Sequence, residues 1–214
     1  MKTPNRINVV LADDHSVVRS GLRQFLDSTE DLRMVAEAAT GAELLDLLHN
    51  ITPDVVMLDI SLPDLDGLEV LRRIKLEKAA LPVLIFSMFS EDEFAVSSIN
   101  AGAAGYLCKD STPEQILTAL RTIAAGTHYV SPLLAEKLLL GSIASDKKLP
   151  HEVLSAREMS VMLMLGQGLH MTRIGEQLFL SVKTVSTYRA RILQKLGFNS
   201  NAEIIRYVLE HKLV

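Results

Sequence analysis

Five short apolar runs, each followed by an amphipathic stretch, constrain this chain more than any other feature. Ile7–Ala12, Met34–Ala38, Val55–Asp59, Val83–Ser87 and Gly105–Cys108 have the length and the β-branched or aromatic content of strands. Helical spacing of apolar residues begins near Ser16, Gly41, Gly67, Asp92 and Pro113. Thr112 is the expected N-cap of the last of these, with Pro113 at its first position and Glu114 in its first turn. Strands that alternate with helices need right-handed crossovers, so they pair in parallel with helices on both faces. The unbroken runs VVML and VLIF fit that arrangement, because central parallel strands are buried on both sides. The expected fold class is α/β, a doubly wound, five-stranded parallel sheet.

After Gly126 the strand signal stops. SPLLAEKLLLGSIAS (131–145) predicts one linking helix, and SDKKLPHE predicts a polar connector broken by Pro150. Ser155–Gln167, Thr172–Leu178, Val182–Leu196 and Ala202–His211 predict an all-α, four-helix domain, and Ser155 and Glu158 have the spacing of a capping box. Charge divides at the same place. Residues 1–146 carry 12 Lys and Arg against 21 Asp and Glu, a net of −9, whereas residues 147–214 carry 10 against 5, a net of +5. An acidic front and a basic back predict two domains with different partners, the basic one suited to a polyanion. The expected organisation is a domain over 1–126, a linker with a helix over 127–148, and a helical domain over 149–214.

Several classes are excluded on simple grounds. No apolar run approaches the roughly 18 residues of a membrane span. The N-terminal stretch MKTPNRINVVLADDH is too short in apolar residues and too acidic for a signal peptide, which predicts a cytoplasmic protein without membrane partners. A single cysteine, Cys108, rules out an internal disulfide, and its place in the fifth strand predicts a small core residue. The six histidines never pair at metal-ligand spacing, so a zinc site is not expected.

In a doubly wound sheet the working crevice lies beyond the carboxyl ends of the strands. That rule gathers Asp13 and Asp14 after strand one, Asp59 after strand three, Ser87 at the end of strand four and Lys109 after strand five. Three carboxylates need a counter-charge, and a hard divalent cation such as Mg2+ would supply it through one or two of them. Lys109 and the Ser87 hydroxyl would remain to hold the oxygens of a phosphoryl group. The set fits phosphoryl transfer onto an aspartate. Asp64 reads as a turn residue and Asp66 as the N-cap of the following helix.

In the basic end, Thr172–Leu178 and Val182–Leu196 are two helices joined by the short turn FLSV, with Ser181 placed to cap the second. On that helix Val185, Ile192 and Leu196 share an inward face. Lys183, Ser186, Thr187, Ala190, Arg191 and Gln194 lie opposite, flanked by Arg189 and Lys195. Such a helix can enter a DNA major groove, or it can be a charged solvated face of a plain bundle; the residues alone do not choose.

VVLADDH, VVMLDISLPDLDGLEV, VLIFS and AGAAGYLCKD resemble the receiver domain of bacterial two-component response regulators, over roughly residues 5–126. The resemblance implies a flavodoxin-like receiver with Asp59 as phospho-acceptor. Asp14, Asp59 and the Ser61 backbone carbonyl would be Mg2+ ligands, with Asp13 holding bound water. Ser87 and Lys109 would bind the phosphoryl group, and Tyr106 would be the aromatic that rotates on activation. Asp110 stands where many receivers have proline. The stretch LSAREMSVMLMLGQGLHMTRIGEQLFLSVKTVSTYRARILQKLGF resembles the LuxR-type helix-turn-helix, over about residues 149–214. Together they are similar to the NarL/FixJ-type arrangement. Ser186, Thr187, Tyr188, Ala190 and His170 depart from that pattern, so the groove contacts expected here are this chain's own: Lys183, Thr184, Ser186, Thr187, Arg189, Arg191 and Lys195. The resemblance implies a transcription factor rather than an enzyme, assisting only its own phosphoryl transfer and hydrolysis. The implied partners are a sensor histidine kinase, double-stranded promoter DNA, a second copy of the chain after phosphorylation, and RNA polymerase as a further candidate. On the last helix, Ile204, Ile205, Val208 and Leu209 would complete the core and leave some face for a dimer contact.

Three alternatives are weaker. A haloacid-dehalogenase-type phosphatase needs a second aspartate two residues after the first, and Ser61 stands there. A regulator that answers a ligand instead of phosphate would not need the full acceptor set. A dinucleotide-binding enzyme would need G-x-G-x-x-G after strand one, which is absent.

Overall fold

The computed structural model describes residues 6–89, 91–131, 134–136, 149–178, 180–211 and 213. The chain divides into two compact units, Met1–Ala144 and Ser145–Val214. In the first, β1 (Ile7–Ala12), α1 (Ser16–Asp27), β2 (Leu32–Ala38), α2 (Gly41–Asn50) and β3 (Val55–Leu58) lead into α3 (Gly67–Glu77). β4 (Val83–Ser87), α4 (Glu91–Asn100), β5 (Gly105–Cys108) and α5 (Pro113–Ala124) follow. All neighbouring strands are parallel, in the order β2-β1-β3-β4-β5. The order reverses between β1 and β3, which opens the crevice at their carboxyl ends. β3 stops one residue short of Asp59, yet the Asp59 amide still donates to the Ala12 carbonyl at 2.9 Å, so the ladder holds that residue in place.

Alternation along the strands builds the two covered faces. Val9 and Leu11 of β1, Val55 and Met57 of β3, and Leu84 and Phe86 of β4 share one buried cluster with Leu22 and Leu26 of α1 and Ile116, Leu120 and Ile123 of α5. Their strand neighbours Val10, Val56, Leu58, Ile85 and Tyr106 are equally buried and point to the other face. Each such aliphatic side chain contributes about 1.5–3 kcal/mol on burial, which lets the sheet tolerate charged groups at its edge. Cys108 is half-buried rather than a core residue, because β5 is an edge strand and its last position meets the rim of the crevice.

The β3–α3 loop is clamped from both ends. A Cβ at Gly67 would lie 2.5 Å from Ile60 Cα and 2.6 Å from the Asp59 carbonyl oxygen, so only glycine lets α3 begin against the Asp59 backbone. Asp66 caps α3 as expected, accepting from the Leu68 amide at 2.9 Å. Asp64 does more than turn the chain: its carboxylate accepts from the Gly41 and Ala42 amides at 2.8 and 2.9 Å and caps α2 from 22 or more residues away. Burial works to raise the Asp64 pKa, but the amides of Ala42, Gly41 and Leu65 outweigh it and hold the carboxyl below its usual range. Asp64→Ala should cost about 1 kcal/mol at neutral pH. A depressed carboxylate stabilises above its unfolded pKa, about 3.9, and loses that contribution as pH falls through its folded value. The gap between wild type and Asp64→Ala in urea midpoints should therefore narrow below about pH 4.

Residues beyond α5 continue on the same unit. The Tyr129 amide donates to the Ala104 carbonyl at 2.9 Å, along the free edge of β5. The Ser131 hydroxyl donates to the Glu91 carboxylate at the start of α4 and accepts from the Leu134 amide at 3.1 Å. Of the helix expected over 131–145, residues 134–136 are helical; 132–133 and 137–145 lie outside the described residues.

The second unit opens with a 3-10 turn, Pro150–Val153, then α6 (Ala156–Gly166), α7 (Met171–Leu178), α8 (Val182–Leu196) and α9 (Asn201–Glu210). The Ser155–Glu158 capping box forms as the spacing predicts. Val161, Met162, Ile174, Val185, Ile192, Ile204 and Val208 are fully buried and make the core. The tight turn between α7 and α8 depends on Gly175, where a Cβ would lie 2.6 Å from the Leu180 carbonyl oxygen. Among the described residues, no helix is long and apolar enough to cross a membrane.

Candidate functional site

The strand ends bring the expected residues together. Lys109, 5% exposed, lies 2.6 Å from Asp13 Oδ2 and 2.8 Å from Asp59 Oδ2. Asp59 Oδ1 accepts from the Ser61 amide at 3.0 Å, and Asp13 Oδ1 accepts from the His15 amide at 2.8 Å. Asp13, Asp59 and Ser87 are buried, while Asp14 is half-buried at the crevice mouth. Burial pushes the Asp59 carboxyl above its usual pKa, with Lys109 pulling down and the Asp13 charge adding to the rise. Burial alone would lower Lys109, but the charges of Asp59 and Asp13 prevail and hold its ammonium above the usual range.

Sequence reasoning missed His15. Its Nδ1 lies 2.8 Å from Asp14 Oδ1 and 3.1 Å from Asp13 Oδ1. Ligand atoms of Asp13, Asp14, His15 and Asp59 all fall within 4.8 Å of one another. The only signal was its place directly after the acidic pair, which a search for paired histidines does not register. The donor set suits a hard divalent cation: three carboxylates are opposed by one ammonium at contact distance, leaving negative charge for a cation to match.

Ser87 and Tyr106 meet at one short loop. The Ser87 hydroxyl accepts from the Phe89 amide at 3.3 Å, and the buried Tyr106 hydroxyl donates to the Phe89 carbonyl at 3.0 Å. The Phe89 backbone is thus held at its amide by Ser87, expected to bind the phosphoryl group, and at its carbonyl by Tyr106, expected to rotate on activation. The Phe89 ring also packs on Phe94 of α4, with centroids 4.7 Å apart.

In the second unit α8 presents the expected faces. Val185 and Ile192 are fully buried and Leu196 half-buried, while Lys183, Ser186, Thr187, Ala190, Arg191 and Gln194 lie on the opposite, more open side. The helix starts on Ser181, whose hydroxyl accepts from the Thr184 amide at 3.1 Å and contacts Thr184 Oγ1 at 2.8 Å. Several residues of the groove-facing set make contacts inside the domain, and on α8 itself Thr187 Oγ1 donates to the Lys183 carbonyl at 3.0 Å. Thr184 joins this cap, Arg189 Nε donates to Asn201 Oδ1 at 2.5 Å, and Lys195 Nζ donates to Glu158 Oε2 at 2.6 Å. The same Glu158 oxygen accepts the Ser155 amide at 2.8 Å, so the carboxylate joins the start of α6 to the end of α8. Glu158 was legible as a cap but not as the partner of a lysine 37 residues away.

Residues 9–121 match the model of the response regulator receiver domain, and residues 152–208 match that of the bacterial regulatory proteins of the luxR family. The chain belongs to the response regulators of this two-domain, luxR-type family. The response regulator UvrY of Escherichia coli K12 is 35% identical over 97% of this chain and 95% of its own length. The response regulator GacA of Pseudomonas aeruginosa is 35% identical over 97% and 98%. Among solved structures, RcsB from Salmonella enterica serovar Typhimurium, bound to promoter rprA in the presence of the phosphomimetic BeF3−, is 25% identical with a TM-score of 0.60, covering 95% of this chain and 98% of that one. This response regulator is therefore a transcription regulator with a DNA-binding helix-turn-helix, as its α6–α9 architecture indicates.

Proposed function

We propose that Asp59 is the phospho-acceptor of this response regulator and that a sensor histidine kinase is the donor. The observation that carries this is the Lys109 ammonium, held within 2.8 Å of Asp59 and 2.6 Å of Asp13 at the point where strand order reverses. An Asp59 oxygen bonds to phosphorus while the donor's P–N bond breaks, its electron pair leaving on the imidazole. Lys109 and the Ser87 hydroxyl then face the equatorial oxygens. Asp14, Asp59 and the Ser61 carbonyl would hold Mg2+, with Asp13 orienting its water; when bound, the ion neutralises carboxylate and phosphoryl charge. Apart from this transfer and its hydrolysis, the chain carries out no chemistry of its own.

The phosphoryl group adds up to about −2 charge where Ser87 can bond to it. Drawing Ser87 inward frees the Phe89 amide, which shares its residue with the Tyr106 bond and leads to Glu91 and its Ser131 contact. That route carries the change to Ser131, beyond α5 of the receiver unit, favouring dimerisation and binding to promoter DNA. Lys183, Ser186, Thr187 and Arg191 of α8 make the groove contacts, Arg189 and Thr184 support the helix, and Lys195 serves Glu158 rather than phosphate. The 60% exposed Leu209, on α9 beside the buried Val208, offers part of a dimer contact.

The test is incubation of the full chain with acetyl phosphate and Mg2+, followed by intact-mass measurement. Wild type should gain one phosphoryl group and Asp59→Asn none. Labelling of Asp59→Asn to the wild-type level would place the acceptor elsewhere.

A further inference from the structure

The β1–α1 turn carries three of the four clustered ligand groups, Asp13, Asp14 and His15, in the three residues between strand and helix. Such a turn concentrates negative charge and needs its backbone held from outside. On one side, the Asp13 amide donates to the Ala38 carbonyl of β2 at 3.1 Å. On the other, Arg19 of α1 reaches back one helical turn, and its Nη1 donates to the Asp13 carbonyl oxygen at 2.7 Å. The Arg19 side chain is 17% exposed, and its Nε lies 4.0 Å from Glu37 on β2. Glu37 is bonded more closely to Arg23, at 3.1 Å, and the 40% exposed Arg23 gives its other hydrogen bond to the Met34 carbonyl of β2, away from the turn. Two arginines four residues apart therefore share one carboxylate, but it is Arg19 that grips the acidic backbone.

We propose that Arg19 is a positioning residue for divalent-cation binding. This rests on the reading that the acidic cluster takes Mg2+. The guanidinium fixes the Asp13 peptide between α1 and β2, so that the Asp13 and Asp14 carboxylates converge on one volume instead of moving apart under their mutual repulsion. It also places a positive charge behind the turn without occupying a ligand position, because it meets the carbonyl and not the carboxylates. Arg19 touches neither the phosphoryl group nor the cation; it acts through Asp13.

The experiment is calorimetric titration of the unphosphorylated full chain with Mg2+, and with Mn2+ as a second probe, for wild type, Arg19→Gln, Arg19→Lys and Arg23→Gln. Removing a partner that orients a ligand weakens metal binding by about tenfold at the low end of the usual range, which is the loss expected for Arg19→Gln. Arg19→Lys should recover part of the affinity, since an ammonium can still reach one carbonyl. Arg23→Gln, which also breaks a Glu37 pair, should bind as wild type does. At saturating Mg2+, Arg19→Gln should gain phosphoryl mass from acetyl phosphate at nearly the wild-type rate, so the defect lies in the Mg2+ dependence and not in the transfer. Wild-type affinity in Arg19→Gln, or equal weakening in Arg23→Gln, overturns the proposal while leaving the cation site standing. Wild type that binds neither ion overturns the proposal and the cation reading together.

Discussion

Lys109→Met should destabilise the receiver unit by about 3–5 kcal/mol and abolish its phosphoryl uptake. The ammonium is in contact with two buried carboxylates, and methionine fills its volume without its charge, so Asp13 and Asp59 would be left buried and opposed to each other. Two outcomes separate this cause from simple loss of packing. First, Mg2+ should stabilise the variant more than wild type, because the cation meets charge that nothing else neutralises. Second, the pH dependence should be that of a carboxyl whose folded pKa is raised. The native state then binds the extra proton, so the variant should regain stability as pH falls through the folded Asp59 value. Wild-type Lys109, whose own pKa is raised, contributes stability that is fully present below about pH 10 and is lost only as pH rises through its folded value. Urea unfolding followed by far-ultraviolet circular dichroism, with and without Mg2+, measures all of this; the chain has no tryptophan to report by fluorescence. A variant within about 1 kcal/mol of wild type would mean that water already screens the crevice.

The second large effect is expected in the DNA-binding unit. Lys195 is 40% exposed but its partner Glu158 is only 3% exposed, so the lysine chiefly serves to match a buried charge. Lys195→Met should cost that unit about 2 kcal/mol, less than a fully buried pair because solvent still reaches the lysine end. Arg191→Ala should behave in the opposite way. Arg191 is exposed on α8, and its loss should leave stability within about 0.5 kcal/mol while weakening promoter binding and lowering the slope of log affinity against log salt by about one. Lys195→Met should leave that slope unchanged. If instead the slope falls with Lys195 and stability falls with Arg191, the assignment of the two faces is inverted.

Both variants bear on how far the residues could be read without the fold. The LSARE and KLG ends of the stretch that resembles the LuxR-type helix-turn-helix combine into a single structural device. Ser155 and Glu158 cap α6, Lys195 neutralises the cap, and Gly197 ends α8 in the left-handed conformation at φ 69°. Capping spacing is local, so the first half of that device was legible. Its second half joins residues 37 positions apart and depends on how α8 crosses α6. Asp64 makes the same point. A turn residue was expected, but its carboxylate reaches α2 only because α2 and α3 start side by side at the sheet edge. Cys108 shows the converse: strand membership suggested a core position, and the edge location of β5 left it half-exposed.

The sequence by itself determined the strand–helix alternation, the parallel sheet, the change to an all-α second unit and the gathering of Asp13, Asp14, Asp59, Ser87 and Lys109. Each follows from short-range periodicity or from the rule that parallel strands place their carboxyl ends together. Only the tertiary structure decided which atoms meet: Lys109 shared between Asp13 and Asp59, His15 drawn into the cluster, Arg19 bonded to the Asp13 carbonyl, and Lys195 committed to Glu158. Those pairings depend on small differences in how helices settle on the sheet and on each other. Such differences arise from close packing of the whole core, and no local pattern in the chain encodes them.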